Sequence, residues 1–288
     1  ITEPNAGTNT HKVTTTASKN GDGWLLNGTK YWTSGVDEAD AIMVVCRSDL
    51  VDAQGRHQLS LFIIPANAPG ITRTPIETAL HVPETSFTMF FDNVELGPEC
   101  LVGQEGQGLR HVFAGLNPER VCAAAINNGI SRFAIEKGAQ QAKDRSVWSV
   151  PIGAHQGIAH PLAKAYIAVQ QARLMTARAA ALSDAGSPDA GEVANMAKFA
   201  AADASLEALD QAIQIHGGYG YTREYNVEQF YRDNRLNAIH EGTHGIHGLD
   251  LLGRKVLMHD GAAFKALAAE MQKTIIKAAS VPQLAAYA

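Results

Sequence analysis

The stretch "TSFTMFFDNV" at residues 85–94, followed by "AGLNPERVCAAAINNGISRFAIEKGAQQAKDR" at residues 114–145, decides the fold class. The first segment combines β-branched and aromatic residues with partial apolar–polar alternation, which indicates a strand. The second is long, rich in alanine and amphipathic, which indicates a helix. The chain therefore changes from strands to helices near residue 104.

Before residue 104 the sequence has the pattern of a sheet. Four further segments are bounded by turn residues and predict short strands: "HKVTTTAS" at 11–18, "GWLLNGTKYWTS" at 23–34, "DAIMVVCRS" at 40–48 and "LSLFIIP" at 59–65. Asn20-Gly21 and Asn27-Gly28 are dipeptides typical of hairpin turns. Short strands joined by turns predict an antiparallel barrel or sandwich, and we expect a barrel-like domain over residues 1–103.

After residue 104 the sequence predicts a helical bundle. Two more long helices are expected in "HPLAKAYIAVQQARLMTARAAALSDAG" at 160–186 and "GEVANMAKFAAADASLEALDQAIQIHGG" at 191–218, separated by Gly-Ser-Pro. Shorter helices are expected near 226–233, after Thr243 and at 261–279. The expected fold class is thus α+β, with an antiparallel β-barrel-like domain followed by an up-and-down bundle over residues 104–258.

Composition argues against several classes of function. The 288 residues carry a formal net charge of -5, so no basic excess points to nucleic acid as a partner. No apolar run reaches the length of a membrane helix. Three widely spaced cysteines without a C-x-x-C pair indicate neither a disulfide framework nor a zinc knuckle. No Rossmann or P-loop glycine pattern occurs, so any bound dinucleotide must be held in another way.

Residues 239–248, "IHEGTHGIHG", admit more than one interpretation. His240 to His244 fits H-E-x-x-H, in which two histidines on one helical face bind zinc beside a glutamate base. Gly242 weakens the helix that this arrangement requires, so the zinc interpretation is the remote one and no metal is expected. A third ligand would also be needed, for which the candidates are Asp250, Asp260 and Glu270. Alternatively, the two histidines simply begin a helix.

Six separated segments resemble the acyl-CoA dehydrogenase family in their order and spacing. They are "TEPNAGTNT" at 2–10, "KYWTSG" at 30–35, "NPERV" at 117–121, "DRSVWSVPIGAHQ" at 144–156, "QIHGGYGYTREYNVEQFYRD" at 214–233 and "EGT" at 241–243. The resemblance implies an oxidoreductase with bound FAD that makes a trans double bond between the α- and β-carbons of an acyl-CoA thioester. Electrons would then pass to an electron-transferring flavoprotein.

The resemblance assigns the general base to Glu241. A carboxylate must take the α-proton while a hydride leaves the β-carbon, and a desolvated carboxylate with a raised pKa suits that task. The backbone N–H of the same residue would bind the thioester oxygen. In a minority of the family the base precedes the arginine of the "NPERV" segment, so Glu119 stays an alternative. The other positions implied to meet the acyl-CoA are Thr8, Asn117, Arg120 and Gly242.

The resemblance also implies where FAD binds. Thr2 would contact the flavin ring from one side, and Trp32, Thr33 and Ser34 from the other. The diphosphate and adenine would be held by residues of a second subunit, which implies a homodimer or homotetramer. Those residues are Arg145, Trp148, His155, Gln156, Gln214, Gly217 and Gly218. Thr243 and His244 would approach the flavin, and Ser149 replaces a usual glycine.

Family members carry a helical domain before the "TEP" segment, so the chain, which opens at Ile1, is expected to be a fragment with an incomplete acyl pocket. Residues 259–288 resemble the start of a C-terminal helical extension. The expected location is a bacterial cytoplasm or a mitochondrial matrix. An acyl-CoA oxidase, a catalytically impaired fragment or a partner subunit are alternatives within the same resemblance.

Overall fold

The computed structural model describes residues 1–281, so the last seven residues of the predicted extension lie outside the described part. Two compact units are present, residues 1–241 and the residues from 242 onward. The first contains a six-stranded sheet and four helices. Its elements are β1 (Thr16–Asn20), β2 (Gly23–Ser34), β3 (Ala41–Val51), β4 (His57–Pro65), β5 (Ile71–Ile76), β6 (Ser86–Leu96), α1 (Gly108–Asp144), the short hairpin β7 (Ser146–Val147) and β8 (Val150–Pro151), α2 (Gln156–Asp184), α3 (Ala190–His216) and α4 (Val227–Asn234).

The second unit is helical. It contains α5 (His244–Leu249), a π-helical turn (Asp250–Lys255) and α6 (Met258–Ala279). The predicted helices after Thr243 and at 261–279 are therefore confirmed, and α6 is interrupted at 259–261, where three successive residues have positive φ. Among residues 1–281, no helix combines the length and the apolarity needed to cross a bilayer.

The sheet confirms the α+β class. Its strand order is β4-β3-β1-β2-β6-β5, and all neighbours are antiparallel except β1 and β3, which pair in parallel through Thr16 and Arg47. The result is a curled, mixed half-barrel. The strand β5 was not predicted, because "ITRTPI" has no apolar–polar alternation strong enough to indicate one.

The two Asn-Gly dipeptides have different structures. Asn20 pairs with Gly23 across a two-residue turn in which Gly21 has a φ of 59°, as a hairpin requires. The hairpin interpretation is wrong at Asn27-Gly28, which lies inside β2 at a register shift against β6. A Cβ at Gly28 would lie 2.6 Å from the Cα of Thr15, so the glycine permits close backbone approach at a bulge.

The bundle core explains the alanine-rich sequence. Alanines recur along the buried face of α3 every three or four residues and face α1 and α2; they are Ala194, Ala197, Ala201, Ala204, Ala208 and Ala212. Small side chains in such a stripe let helix axes approach closely. The first residue of α1, Gly108, packs on the backbone of Ser60, which fixes the start of the bundle against β4. The predicted domain boundary at 103/104 lies between β6 and α1 and stays a prediction.

A buried ion pair anchors the start of the chain to the sheet. Lys30 Nζ lies 2.8 Å from Glu3 Oε1, and the two side chains are 4% and 2% exposed. Thr14 N and Thr15 N donate to the two oxygens of the same carboxylate at 2.5 and 3.0 Å. Burial alone would raise the pKa of Glu3, but the hydrogen bonds from Lys30, Thr15 and Thr14 outweigh it and lower that pKa to about 2.

This ion pair predicts acid sensitivity. A glutamate whose pKa is lower in the folded chain stabilises the fold above its unfolded pKa, and loses that contribution as the pH falls through the folded pKa. For Glu3 the window runs from about 4.5 down to about 2 and the contribution is at most about 3 kcal/mol. Urea unfolding at pH 6 and pH 3 should therefore show a smaller loss for Glu3→Gln than for the wild type. The exposed-site control Glu136→Gln should follow the wild type, and a parallel loss in all three proteins would contradict the prediction.

Candidate active site

Both candidate bases lie at one place in the first unit. The carboxylate oxygens of Glu119 and Glu241 and a ring nitrogen of His240 all lie within 4.8 Å of one another. Glu119 is on α1, whereas His240 and Glu241 lie in the turn that precedes α5. Glu241 has a φ of 56°, a left-handed conformation that non-glycine residues rarely adopt and that is common at functional sites. The fold therefore brings together two carboxylates that are 122 positions apart in the sequence.

Arg120 fixes the backbone of Glu241. Its Nε donates to the carbonyl oxygen of Glu241 at 3.1 Å, and its Nη1 donates to Asn117 Oδ1 at 3.2 Å. Asn117 lies one helical turn before Arg120 on α1, so the amide oxygen holds the guanidinium toward the turn. The contact of Arg120 with coenzyme A stays a prediction. The structure shows a different interaction of this side chain, its hydrogen bond to the backbone of Glu241.

The environment of the pair changes the pKa of Glu119. Partial burial of its carboxyl, followed by the negative charge of Glu241, raises that pKa, although His240 and Arg120 oppose the change. The charge of Glu241 therefore acts directly on the carboxyl of Glu119.

A buried lysine beside the pair was not recognised in the sequence. Lys198 lies on α3 and is fully buried. Burial, followed by the charge of Arg120, lowers its pKa to about 8, and the charge of Glu241 opposes this shift. The sequence feature that could have identified Lys198 is its place as a charged residue within the alanine stripe of α3, between Ala197 and Ala201. Its charge contributes to the electrostatic field at Glu241.

The helix that the zinc interpretation requires does not form. Residues 239–243 are not helical, Gly242 has a φ of 106°, and α5 begins only at His244. His240 and His244 therefore do not share a helical face, and the H-E-x-x-H interpretation is wrong. Within the second unit, a Cβ at Gly242 would lie 2.3 Å from Nε2 of the buried His247, which explains a glycine at this position.

The predicted flavin-contacting residues of the sheet lie around a bulge in β2. The register between β2 and β6 shifts between Lys30 and Thr33, and the N–H of Tyr31 donates instead to the carbonyl oxygen of Thr2 at 2.8 Å. Trp32 has a φ of 60° and a half-exposed side chain. The structure therefore brings Thr2 beside the "YWTS" segment, with an accessible aromatic face.

The hydroxyl groups at the end of β2 are also accessible. Ser34 Oγ lies 3.0 Å from Ser86 Oγ on β6, and both side chains can donate or accept a hydrogen bond there. Thr33 pairs with Phe87 in the same ladder. An exposed indole beside exposed hydroxyl groups suits a planar ring with polar edges, which is the chemistry of a flavin.

The predicted phosphate-binding residues meet at one end of the bundle. Arg145 follows the last residue of α1 as its C-cap, and a Cβ at Gly217 would lie 3.7 Å from its Nη1. The rings of Trp148 and His155 lie 5.8 Å apart, edge to face, and Trp148 is 84% exposed. Among the described residues, the buried Nε2 of His155 has no hydrogen-bond partner. Ser149 has a φ of 71°, which accounts for the glycine usual at this position.

The remaining predicted positions lie at helix ends and in loops. Gln156 begins α2, Gln214 lies in the last turn of α3, and Gly218 follows in a 3-10 turn; all three are exposed at the same end of the bundle. Thr8 is exposed in the loop before β1. Thr243 and His244 precede and begin α5 in the second unit, and their approach to a flavin stays a prediction. This end of the bundle has features that suit the diphosphate and adenine of FAD. They are the cation of Arg145, the exposed ring of Trp148, the imidazole nitrogen of His155 and two glycines, which leave room beside them.

Comparison with known families identifies both parts of the chain. The model of the acyl-CoA dehydrogenase middle domain matches residues 1–94, and that of the acyl-CoA dehydrogenase C-terminal domain matches residues 106–257. The chain belongs to the acyl-CoA dehydrogenase family. The family predicted from the sequence is thus confirmed, and the two matched segments correspond to the sheet and to the helical part that follows it.

Individual relatives support the same assignment. Acyl-CoA dehydrogenase fadE12 of Mycobacterium bovis is 50% identical over 240 residues, which cover 83% of this chain and 62% of the relative. A solved glutaryl-coenzyme A dehydrogenase in complex with glutaryl-CoA is 36% identical with a TM-score of 0.81, covering 88% of this chain and 65% of that one. A chain from a structure described as the electron transferring flavoprotein of Acidaminococcus fermentans is 31% identical with a TM-score of 0.83, covering 89% and 67%. The chain thus spans less than two thirds of the curated relative's length.

Proposed function

We propose that this chain carries the catalytic centre of an FAD-dependent acyl-CoA dehydrogenase that converts an acyl-CoA thioester into the trans-2-enoyl-CoA. The observation that carries the proposal is the strained turn at Glu241, whose carboxylate lies beside Glu119 and whose backbone is held by Arg120. This combination supplies a positioned base and a fixed backbone at one place.

In the proposed reaction the carboxylate of Glu241 takes the α-proton of the thioester. The backbone N–H of Glu241 donates to the thioester oxygen, where negative charge develops as the proton leaves. Arg120 holds the carbonyl of the same residue and so limits its motion. The chemistry that FAD would supply when bound is that of an acceptor for the hydride of the β-carbon. Thr2, Trp32 and Ser34 would orient the flavin ring, and Arg145 would neutralise part of the charge of the diphosphate.

The proposed cofactor can be tested without assuming activity. Purified protein should release about one FAD per chain on denaturation, and metal analysis should give no stoichiometric zinc. Anaerobic addition of acyl-CoA should then bleach the visible flavin band. Flavin-free protein with one bound zinc would overturn the proposal. Bleached protein that reoxidises rapidly in air, with oxygen consumption in turnover, would show an oxidase, whereas transfer to an electron-transferring flavoprotein is the expected outcome.

We also propose that FAD is shared between two protomers, with Arg145 supplied by the second one. Arg145→Ala should weaken FAD binding by roughly 10-fold or more, because a charge-assisted bond to phosphate is lost. The control Arg132→Ala removes an exposed arginine of α1, whose nearest acidic partner is 3.8 Å away, and should leave binding unchanged. Dilution to monomers should release flavin, as seen by gel filtration with absorbance detection. A monomer that retains stoichiometric FAD would contradict the shared site.

A further inference from the structure

The backbone at the predicted flavin edge is strained. Tyr31 and Trp32 lie in the bulge of β2, outside the register with β6, and Trp32 has a φ of 60°. A bulky aromatic residue avoids this region, so its surroundings must hold it there. The ladder of hydrogen bonds between β2 and β6 is interrupted here, and the N–H of Tyr31 donates instead to the carbonyl oxygen of Thr2. The position of Trp32 therefore depends on where the segment at residues 1–3 is held.

The buried ion pair holds that segment. Lys30 is the last residue before the bulge, and its Nζ donates to the carbonyl oxygen of Ile1 at 3.0 Å and to Glu3 Oε1 at 2.8 Å. The other oxygen of Glu3 accepts hydrogen bonds from Thr14 N and Thr14 Oγ1, so the carboxylate joins the segment to the chain just before β1. Thr2 lies between the two residues that Lys30 contacts, so Glu3 adjoins one predicted flavin contact, and Lys30 lies two positions before another, Trp32.

We propose that Glu3 and Lys30 are positioning residues for the flavin ring, which they hold between Thr2 and Trp32 by fixing the segment at residues 1–3 against the bulge of β2. The proposal rests on the proposed function, since it assumes that FAD binds at this edge. A buried ion pair is weak evidence for a role in stability alone, because an apolar pair of similar volume stabilises a core equally well. The two hydrogen bonds of Lys30, in contrast, are directional, and they therefore fix the position of the backbone at residues 1–3.

Three variants and one control test the proposal. Lys30→Met, Glu3→Gln and the double variant are compared with Ile64→Ala, which opens a cavity in the same sheet at a fully buried residue of β4. Each single variant of the pair should weaken FAD binding by roughly 10-fold or more, since a charged hydrogen bond is lost. The double variant should be no weaker than the worse single one, because both residues act through one contact. Ile64→Ala should lose stability but keep its FAD affinity within about 2-fold.

Hydrogen exchange measures the positioning directly and needs no flavin. In Lys30→Met, the amides of Glu3 and Tyr31 should exchange at least about 10-fold faster, while those of β3 and β4 keep their wild-type rates. A uniform increase across the sheet, or an FAD affinity equal to that of Ile64→Ala, would overturn the proposal. If the wild type binds no FAD, the proposed function fails, whereas the exchange rates still decide whether the pair positions this segment.

A milder variant covers the case in which the charge changes prevent folding. Thr14→Val removes the hydroxyl hydrogen bond to Glu3 and leaves both charges in place. It should weaken FAD binding by about 3-fold, as expected for one bond of this kind, and raise exchange at Tyr31 by a similar factor. Unchanged FAD affinity and unchanged exchange at Tyr31 in this variant would count against the proposal.

Discussion

Replacing Glu241 by glutamine is expected to lower kcat for acyl-CoA oxidation by roughly 100-fold or more, while binding of the enoyl-CoA product changes by less than about 3-fold. Glutamine keeps the size of the side chain and the backbone contact with Arg120, but its amide cannot take the α-proton. The measurement is anaerobic flavin reduction in single turnovers, which isolates the proton and hydride transfer from later electron transfer.

Glu119→Gln is the matched control for this prediction, because it changes the neighbouring carboxylate in the same way. It should retain kcat within about 5-fold, because the carboxylate of Glu241, the proposed base, stays in place. Loss of the reaction in Glu119→Gln with near-normal turnover in Glu241→Gln would assign the base to α1 instead. The pair is close enough for either residue to serve, and only this comparison separates them.

Local sequence patterns predicted the elements well where the pattern itself sets the structure. The bounds of β2 at residues 23–34 and the three long helices follow from periodicity and turn residues, which act over a few positions. Asn27-Gly28 shows the limit: the dipeptide favours a turn locally, but packing against Thr15 places it in a bulge. Tertiary packing therefore overrode the local preference at this position.

Local sequence patterns predict the contacts of the site less well, because these contacts join residues that are far apart in the sequence. Arg120 and Glu241 are 121 positions apart, and Lys30 meets Glu3 over 27 positions. A lysine within an apolar pattern, such as Lys30 or Lys198, indicates a buried charge that needs a partner, but it does not say which partner. The cofactor-binding residues are predicted only from several motifs that occur together, since an exposed arginine such as Arg145 has no distinctive pattern of its own.

The contact between Arg120 and Glu241 leads to the second large expected effect. Arg120→Lys should lower kcat by roughly 100-fold, because a lysine cannot bond both the carbonyl of Glu241 and the amide of Asn117, and a base displaced by about 1 Å loses about that much rate. The comparison variant Asn117→Ala removes the support of the guanidinium but keeps its bond to Glu241, and should lower kcat by less than about 10-fold.

Steady-state kinetics with varied acyl-CoA separates this positioning role from a role in coenzyme A binding. A positioning arginine lowers kcat at saturation and leaves KM within a few-fold, because the loss arises only in the transition state. An arginine that acts only on coenzyme A would raise KM and leave kcat intact, and that result would contradict the prediction. FAD content should match the wild type in both variants, because the contacts that change are those of Arg120 with the turn at Glu241 and with Asn117.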